Sequence, residues 1–192
     1  MKTLLITGFD PFGGEAVNPS WEAVQELPDT IGDYALTKLQ IPTVFGLGAR
    51  TVLDRAAELH PDVILCIGQA GGRDVVTPER IGINLRDARI PDNAGCQPKE
   101  EAIAACGPDG IFSTVPVAEM AQAIREAGLP GHVSNTAGTF VCNETLYTLL
   151  HHYAGTAVRV GFIHVPYVPT QGTPNLPLEQ TVQALSAAIC AL

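Results

Sequence analysis

The sequence predicts a three-layer α/β/α sandwich built on a mainly parallel sheet. Three observations predict it. Leu4-Leu5-Ile6 and Val63-Ile-Leu-Cys-Ile67 are continuous apolar runs of strand length, the pattern of strands covered on both faces. These runs alternate along the chain with stretches of helical apolar spacing. Turn-forming Gly and Pro clusters punctuate the alternation, and no repeat, low-complexity tract or interdomain linker interrupts it.

Taken in order, Leu4-Leu5-Ile6 opens onto Gly8-Phe-Asp-Pro-Phe-Gly-Gly14, a glycine-rich turn without the spacing of a phosphate loop. Asn18-Pro19 starts a helix, with Asn as cap and Pro at the first helical position, and Trp21, Val24 and Leu27 give it a packing face. Tyr34 to Ile41 is the next strand, closed by Pro42, and a helix from about Leu47 to Leu59 follows. The run from Val63 to Ile67 ends in Gly68-Gln-Ala-Gly-Gly72.

Arg73 to Pro98 breaks this rhythm. Ile81, Ile83 and Leu85 alternate with smaller or polar residues, as in a half-buried strand, and Glu79, Arg80, Arg86, Asp87, Arg89 and Asp92 collect around them. A charge cluster of this kind is expected to be a solvated, salt-bridged edge. Lys99 to Gly110 reads as loop. Val117, Ala121, Ile124 and Ala127 outline a further helix, and Gly131 to Val133 a short strand. A strand from Ala157 to Val165 ends at His164-Val-Pro166, and a last helix runs from about Pro177.

At 192 residues the chain is long enough to bury a large core; length alone allows one large domain or two small ones, and with no linker the chain is read as a single domain spanning 1–192. A formal charge of −9 with no basic cluster argues against nucleic acid and anionic membrane surfaces as partners. The five cysteines are odd in number and show no paired metal-ligand spacing, which predicts a reduced, cytoplasmic setting and no metal site. No apolar run is long enough for a membrane span.

The chemistry points to Ser134-Asn-Thr-Ala-Gly-Thr-Phe-Val-Cys-Asn-Glu-Thr-Leu-Tyr147. Cys142, Leu146, Leu149, Leu150 and Tyr153 share one helical face, so Cys142 falls in the first turn of a helix that follows a strand. The unpaired N–H groups there favour a thiolate. Buried cysteines on apolar stripes are equally common, so this stretch alone leaves Cys142 open as nucleophile or core thiol. Of the five histidines, His164 is the best placed to serve as its base, because it stands at the C-terminal end of a strand. His151 and His152 lie further down the Cys142 helix, His60 at a helix end and His132 within a strand. Glu79, Asp87 and Asp10 all qualify as the carboxylate that orients it.

Phe9-Asp-Pro-Phe-Gly-Gly14, Asn18-Pro-Ser-Trp21, Gly68-Gln-Ala-Gly-Gly-Arg73, Pro78-Glu-Arg-Ile81, Asp87-Ala-Arg-Ile-Pro-Asp-Asn93, Phe112-Ser-Thr114, Ser134 to Asn143 and Gly161-Phe-Ile-His164 follow one another over nearly the whole chain. In this order they resemble the pyroglutamyl-peptidase I family, also called pyrrolidone-carboxylate peptidase. The resemblance implies a cysteine exopeptidase that releases N-terminal pyroglutamyl residues from peptides through a triad of Cys142, His164 and Glu79. It implies that Arg89 and backbone N–H groups at the Cys142 helix start stabilise the oxyanion. Phe9, Phe12, Gln69, Ile90, Phe140 and Val141 would wall the ring pocket. It further implies a cytoplasmic, cofactor-free homo-oligomer, often a tetramer in bacteria. Two departures stand out: Glu144 replaces a histidine common two residues after the nucleophile, and Gly82 replaces an alanine. Glu144 is expected to weaken thiolate stabilisation slightly.

Overall fold

The computed structural model describes residues 1–192. The elements run β1 (Lys2–Phe9), α1 (Pro19–Glu26), β2 (Thr30–Ile31), β3 (Tyr34–Ile41), α2 (Leu47–Leu59), β4 (Val63–Gln69), β5 (Thr77–Pro78), β6 (Ile81–Ile83), β7 (Gly110–Phe112), α3 (Val117–Glu126), α4 (Val141–His152), β8 (Arg159–Val165) and α5 (Leu178–Cys190). A six-stranded sheet has the order β2-β3-β1-β4-β8-β5, and β6 and β7 form a separate pair. The four inner strands are mutually parallel, while β2 and β5 add antiparallel edges. The mainly parallel sheet is as the sequence predicts.

The period of two along each strand divides the core. Leu4 and Ile6 of β1 face one side with Leu65 and Ile67 of β4, under Val24 of α1, Met120 and Ile124 of α3, and Leu185 and Ile189 of α5. Leu5, Ile64, Cys66 and Phe162 face the other, under Val52 and Ala56 of α2 and Leu146, Leu149 and Leu150 of α4. Most of these side chains are fully buried, each worth about 1.5–3 kcal/mol relative to exposure. Strands buried on both faces explain the unbroken apolar runs.

Local signals hold where they are strong. Asn18 caps α1: its Oδ1 accepts from Ser20 N–H, and Pro19 occupies the first turn. His60 closes α2 in the left-handed conformation at φ 50, its N–H bonded to Ala56 O.

The short strand expected at Gly131 to Val133 is corrected. That segment runs beside residues 76–80 as two isolated parallel bridges, Val76 to Gly131 and Glu79 to Ser134, in one common register. Val76 N–H donates to Pro130 O, His132 N–H to Val76 O and Ser134 N–H to Pro78 O. Pro78 has no N–H to complete the ladder between the bridges, so no regular strand forms. The antiparallel β5, of two residues, and the pairing of β6 with β7 carry too little periodicity to be read in advance.

Parallel strands place their C-terminal ends at one sheet edge. Phe9 ends β1, Gln69 ends β4, and His164 is the penultimate residue of β8. Cys142 is the second residue of α4.

Candidate active site

Cys142 is fixed from several sides. Its neighbour Asn143 is fully buried; its Oδ1 accepts from Ile83 N–H at 2.9 Å, and its Nδ2 donates to Ile83 O and Leu85 O. Glu144, 1% exposed, accepts from Gly46 N–H at 2.7 Å and pairs with Arg86 at 2.5 Å. The first turn of α4 is therefore tied to both the 83–86 segment and the N-terminus of α2. No side chain caps α4, and its first internal bond is Glu144 N–H to Phe140 O. The N–H groups of Val141, Cys142 and Asn143 precede that bond.

Beneath the thiol lies Gly68. A Cβ at Gly68 would stand 2.9 Å from Cys142 Sγ and 2.7 Å from Phe162 Cζ, so the missing side chain makes room for the sulfur. Gly68 is also the register partner of His164 across β4 and β8. The same sheet position that seats the thiol thus seats the imidazole beside it.

His164 is 4% exposed, whereas the other four of the five histidines are exposed. Its Nδ1 lies 2.8 Å from Glu79 Oε1. An ionised carboxylate only accepts, so Nδ1 carries the proton and Nε2 is left as an acceptor. Glu79 is fully buried; its N–H donates to Phe162 O at 2.8 Å, extending the antiparallel edge beyond β5. The same Oε1 accepts from Arg73 Nη1 at 2.7 Å, and Arg73 also donates to Thr77 Oγ1 and Thr136 O.

Asp10 and Asp87 are engaged elsewhere. Asp10 Oδ1 accepts from Thr43 N–H and Asn93 Nδ2, joining loops, and Asp87 pairs with Lys99 at 3.1 Å. The expectation of a solvated charge edge is likewise corrected at Glu79 and Asp92, which are 0% and 6% exposed. Asp92 is buried because it accepts from the N–H groups of Phe45, Ala94 and Cys96.

Burial pushes Cys142 above the ordinary thiol range, and the charges of Glu79 and Cys66 add to that. Arg73 and the residue's own backbone N–H pull the other way but do not prevail. The helix start favours the thiolate, but burial and the neighbouring charges act against it here. At Glu79 burial opposes ionisation, but the hydrogen bond and charge of His164, with Ser134 and Arg73, hold the carboxyl below its usual value. Glu144 is raised by burial, against the pull of Gly46 and Arg86. Its carboxylate is engaged by Gly46 N–H and Arg86.

Cys142 and His164 open onto a cavity of about 370 Å³. Phe9, Phe12, Gln69, Phe140 and Arg89 also line it, with Asn18 and Thr43 at its polar wall. Phe12 packs on Phe140 with ring centroids 5.9 Å apart. Ile90 is not among the lining residues; its Cδ1 would lie 3.8 Å from a Cβ on Gly13. Val141 is fully buried and packs toward Gly48 of α2, so its side chain turns into the core rather than the cavity. A larger groove of about 610 Å³ lies between α2 and α4, among Arg50, His60, His152 and Tyr153, and holds none of these candidate residues.

Arg73, Asn143 and Gly68 are the residues to which sequence reasoning gave no role. A polar Asn directly after Cys142 in the first turn of α4 was the available signal for Asn143. Nothing local marks Arg73 as a partner of Glu79.

The family model described as pyroglutamyl peptidase matches residues 1–192. A pyrrolidone-carboxylate peptidase of Levilactobacillus brevis is 53% identical, covering 98% of this chain and 96% of that protein. One from Staphylococcus aureus is 50% identical over 98% of this chain and 92% of its own length. Among solved structures, pyroglutamyl peptidase I of Bacillus amyloliquefaciens superposes with a TM-score of 0.96 at 44% identity, covering 100% of this chain and 96% of that one. Pyrrolidone carboxyl peptidase from Thermococcus litoralis gives 0.95 at 33% identity, covering 100% and 93%.

Proposed function

This chain belongs to the pyroglutamyl peptidase family, and from that premise we propose that it hydrolyses the amide bond after an N-terminal pyroglutamyl residue of peptides, acting as a cysteine peptidase. The observation that carries the catalytic assignment is the Glu79–His164 bond of 2.8 Å beside a cysteine held over the register partner of His164. Residues 1–192 act as one catalytic domain.

Burial and the Glu79 charge disfavour an isolated anion, so the thiolate forms against His164, either as an ion pair with the imidazolium or as sulfur attacks. His164 Nε2 takes the Cys142 proton as sulfur attacks the carbonyl carbon, so His164 works as a general base. Glu79 fixes the tautomer and stabilises the imidazolium that forms. The N–H groups at the start of α4 receive the developing oxyanion, with Arg89 at the cavity wall adding positive charge. The amide C–N bond breaks as His164 returns the proton to the leaving amine. Water, deprotonated by His164, then attacks the thioester, and Cys142 leaves with that proton. Each step uses side chains, backbone N–H groups and water.

The ring of the substrate enters between Phe9, Phe12 and Phe140, with Gln69 as polar partner. Val141 belongs to the core cluster against which Phe140 packs, and Ile90 lies near Gly13 of the loop after β1. No helix is long and apolar enough to cross a membrane. The odd cysteine number and the family membership support a cytoplasmic homo-oligomer, a tetramer by resemblance. The deciding assay is release of a chromophore from a pyroglutamyl-arylamide. Turnover that is lost on alkylation of Cys142 supports the reading, and no release by the intact protein overturns it.

A further inference from the structure

We propose that Gln171, in the loop between β8 and α5, is a positioning residue that sets the polarity of the substrate pocket by dictating which end of the Gln69 amide faces the cavity. The proposal rests on the pyroglutamyl-peptidase reading above. A side-chain amide can present either an acceptor or two donors, and only its partners decide which.

For Gln171 that choice is fixed by main-chain groups whose roles cannot reverse. Val168 N–H, a donor, lies 3.2 Å from Gln171 Oε1. Val17 O, an acceptor, lies 3.3 Å from Gln171 Nε2. The Gln171 N–H donates to Val168 O at 2.9 Å, which closes the turn carrying this side chain. Gln171 Nε2 therefore points at Gln69, and Gln69 meets it with Oε1 at 3.0 Å. Gln69 lines the cavity, and this bond turns its Oε1 toward Gln171. What remains for a ligand is the Nε2 end, with donors only.

That polarity matches a lactam carbonyl and mismatches a ring with no acceptor. A prolyl ring has a CH₂ at that position, and a donor left unpaired inside a closed site carries a penalty. Gln171 would thus shape selectivity from outside the cavity lining, through an atom the substrate never touches. It also links the β8–α5 loop to the loop after β1, because Nε2 reaches Glu15 Oε2 at 3.4 Å as well.

The test compares Gln171→Glu, Gln171→Ala and the unaltered protein on pyroglutamyl- and prolyl-arylamides, with thermal melts alongside. In Gln171→Glu one carboxylate oxygen still accepts from Val168 N–H, but the other is an acceptor facing Gln69. Gln69 must then turn its donors toward the introduced carboxylate and its oxygen into the cavity. The expected result is a KM for the pyroglutamyl substrate raised about tenfold or more with kcat little changed, and a reduced pyroglutamyl-to-prolyl ratio. Gln171→Ala frees the amide instead of inverting it, so a rise of only about two- to threefold is expected. A role in loop packing alone would lower the melting temperature of either variant while leaving the pyroglutamyl-to-prolyl ratio unchanged. The comparison is repeated in a Glu15→Gln background, which removes the like charge facing the introduced carboxylate. Should Gln171→Ala not fold, Gln69→Glu carries the test, since it keeps the bond to Gln171 and replaces the cavity donor by an acceptor. A KM unchanged in Gln69→Glu, or Gln171→Glu no worse than Gln171→Ala, overturns the proposal. An unaltered protein inactive on the pyroglutamyl compound overturns the underlying reading instead.

Discussion

Glu79 Oε1 is shared between His164 Nδ1 at 2.8 Å and Arg73 Nη1 at 2.7 Å, in a pocket where Glu79 itself is fully buried. One carboxylate oxygen thus orients the imidazole while a guanidinium helps keep the carboxylate ionised. A group that orients the base should matter less than the base itself. We expect His164→Ala to lower kcat/KM by about 10⁴ or more, and Glu79→Gln to leave more residual activity. The reverse ranking would show that Glu79 does more than orient, and would return Asp10 and Asp87 to consideration.

Cys142→Ser should abolish turnover, by at least about 10⁴, with the thermal melt unchanged. A hydroxyl is harder to deprotonate than even this raised thiol, and the buried anchors Asn143 and Glu144 remain in place. Near-normal activity in the serine variant would remove Cys142 from the mechanism. Variants at Cys96, Cys106 and Cys190, all exposed, should keep full activity.

Gly68→Ala tests how the sulfur is seated. The new methyl would meet Cys142 Sγ at 2.9 Å and the Phe162 ring at 2.7 Å, so one or both must move. Overpacking of this kind costs about 1–3 kcal/mol of stability. A nucleophile displaced by about 1 Å loses about a hundredfold in rate. Activity should therefore fall much further than stability does, as seen by kinetics and chemical denaturation on the same sample. An unaffected kcat/KM would mean that the thiol position over Gly68 is not the reactive one.

Acid should weaken the protein partly through Glu79. Its carboxyl is held below the ordinary value in the folded state, so its contribution to stability is fully present above the ordinary carboxylate pKa and is lost as pH falls through the lowered folded value. Glu79→Gln lacks this titration. The stability gap between the two proteins should be wide near about pH 7 and shrink below the usual carboxylate range, measured by denaturant unfolding at each pH. A gap independent of pH would contradict the direction of the shift.

Selectivity should favour pyroglutamyl over prolyl and glutamyl substrates by at least about a thousandfold in kcat/KM, taking roughly 4 kcal/mol for the combined terms. Shape separates these groups by only about 1–3 kcal/mol. The larger part is chemical: a prolyl or glutamyl amine arrives protonated, and a wall of Phe9, Phe12 and Phe140 offers it no counter-charge. Comparable rates on the prolyl arylamide would remove the pocket assignment and leave the triad standing.

Much of the architecture was legible from local physics and from motif order. Strands buried on both faces read as unbroken apolar runs, so Val63 to Ile67 and the alternation with helices pointed directly to the sandwich. Asn18-Pro19 specified its own helix start because a cap acts within three residues. The ordered motifs pointed to the family before any contact was known. Cys142 and His164 were legible as candidates because strand ends and helix starts converge at one sheet edge.

How these candidates meet depended on contacts between distant segments. Glu79, Asp10 and Asp87 are equivalent carboxylates in sequence; the antiparallel edge beyond β5 brings one of them to His164 and buries it. The helix position of the thiol was legible, but the desolvation and the Glu79 charge that push its pKa up are properties of the assembled site. Val141 and Phe140 are adjacent in sequence, yet one enters the core and the other the cavity, because the turn into α4 points their side chains apart. Interactions between residues far apart in the chain leave no periodic trace, and the Gln69–Gln171 pair existed only once the chain had closed; the Arg73–Glu79 pair spans just six residues but follows no helix or strand period.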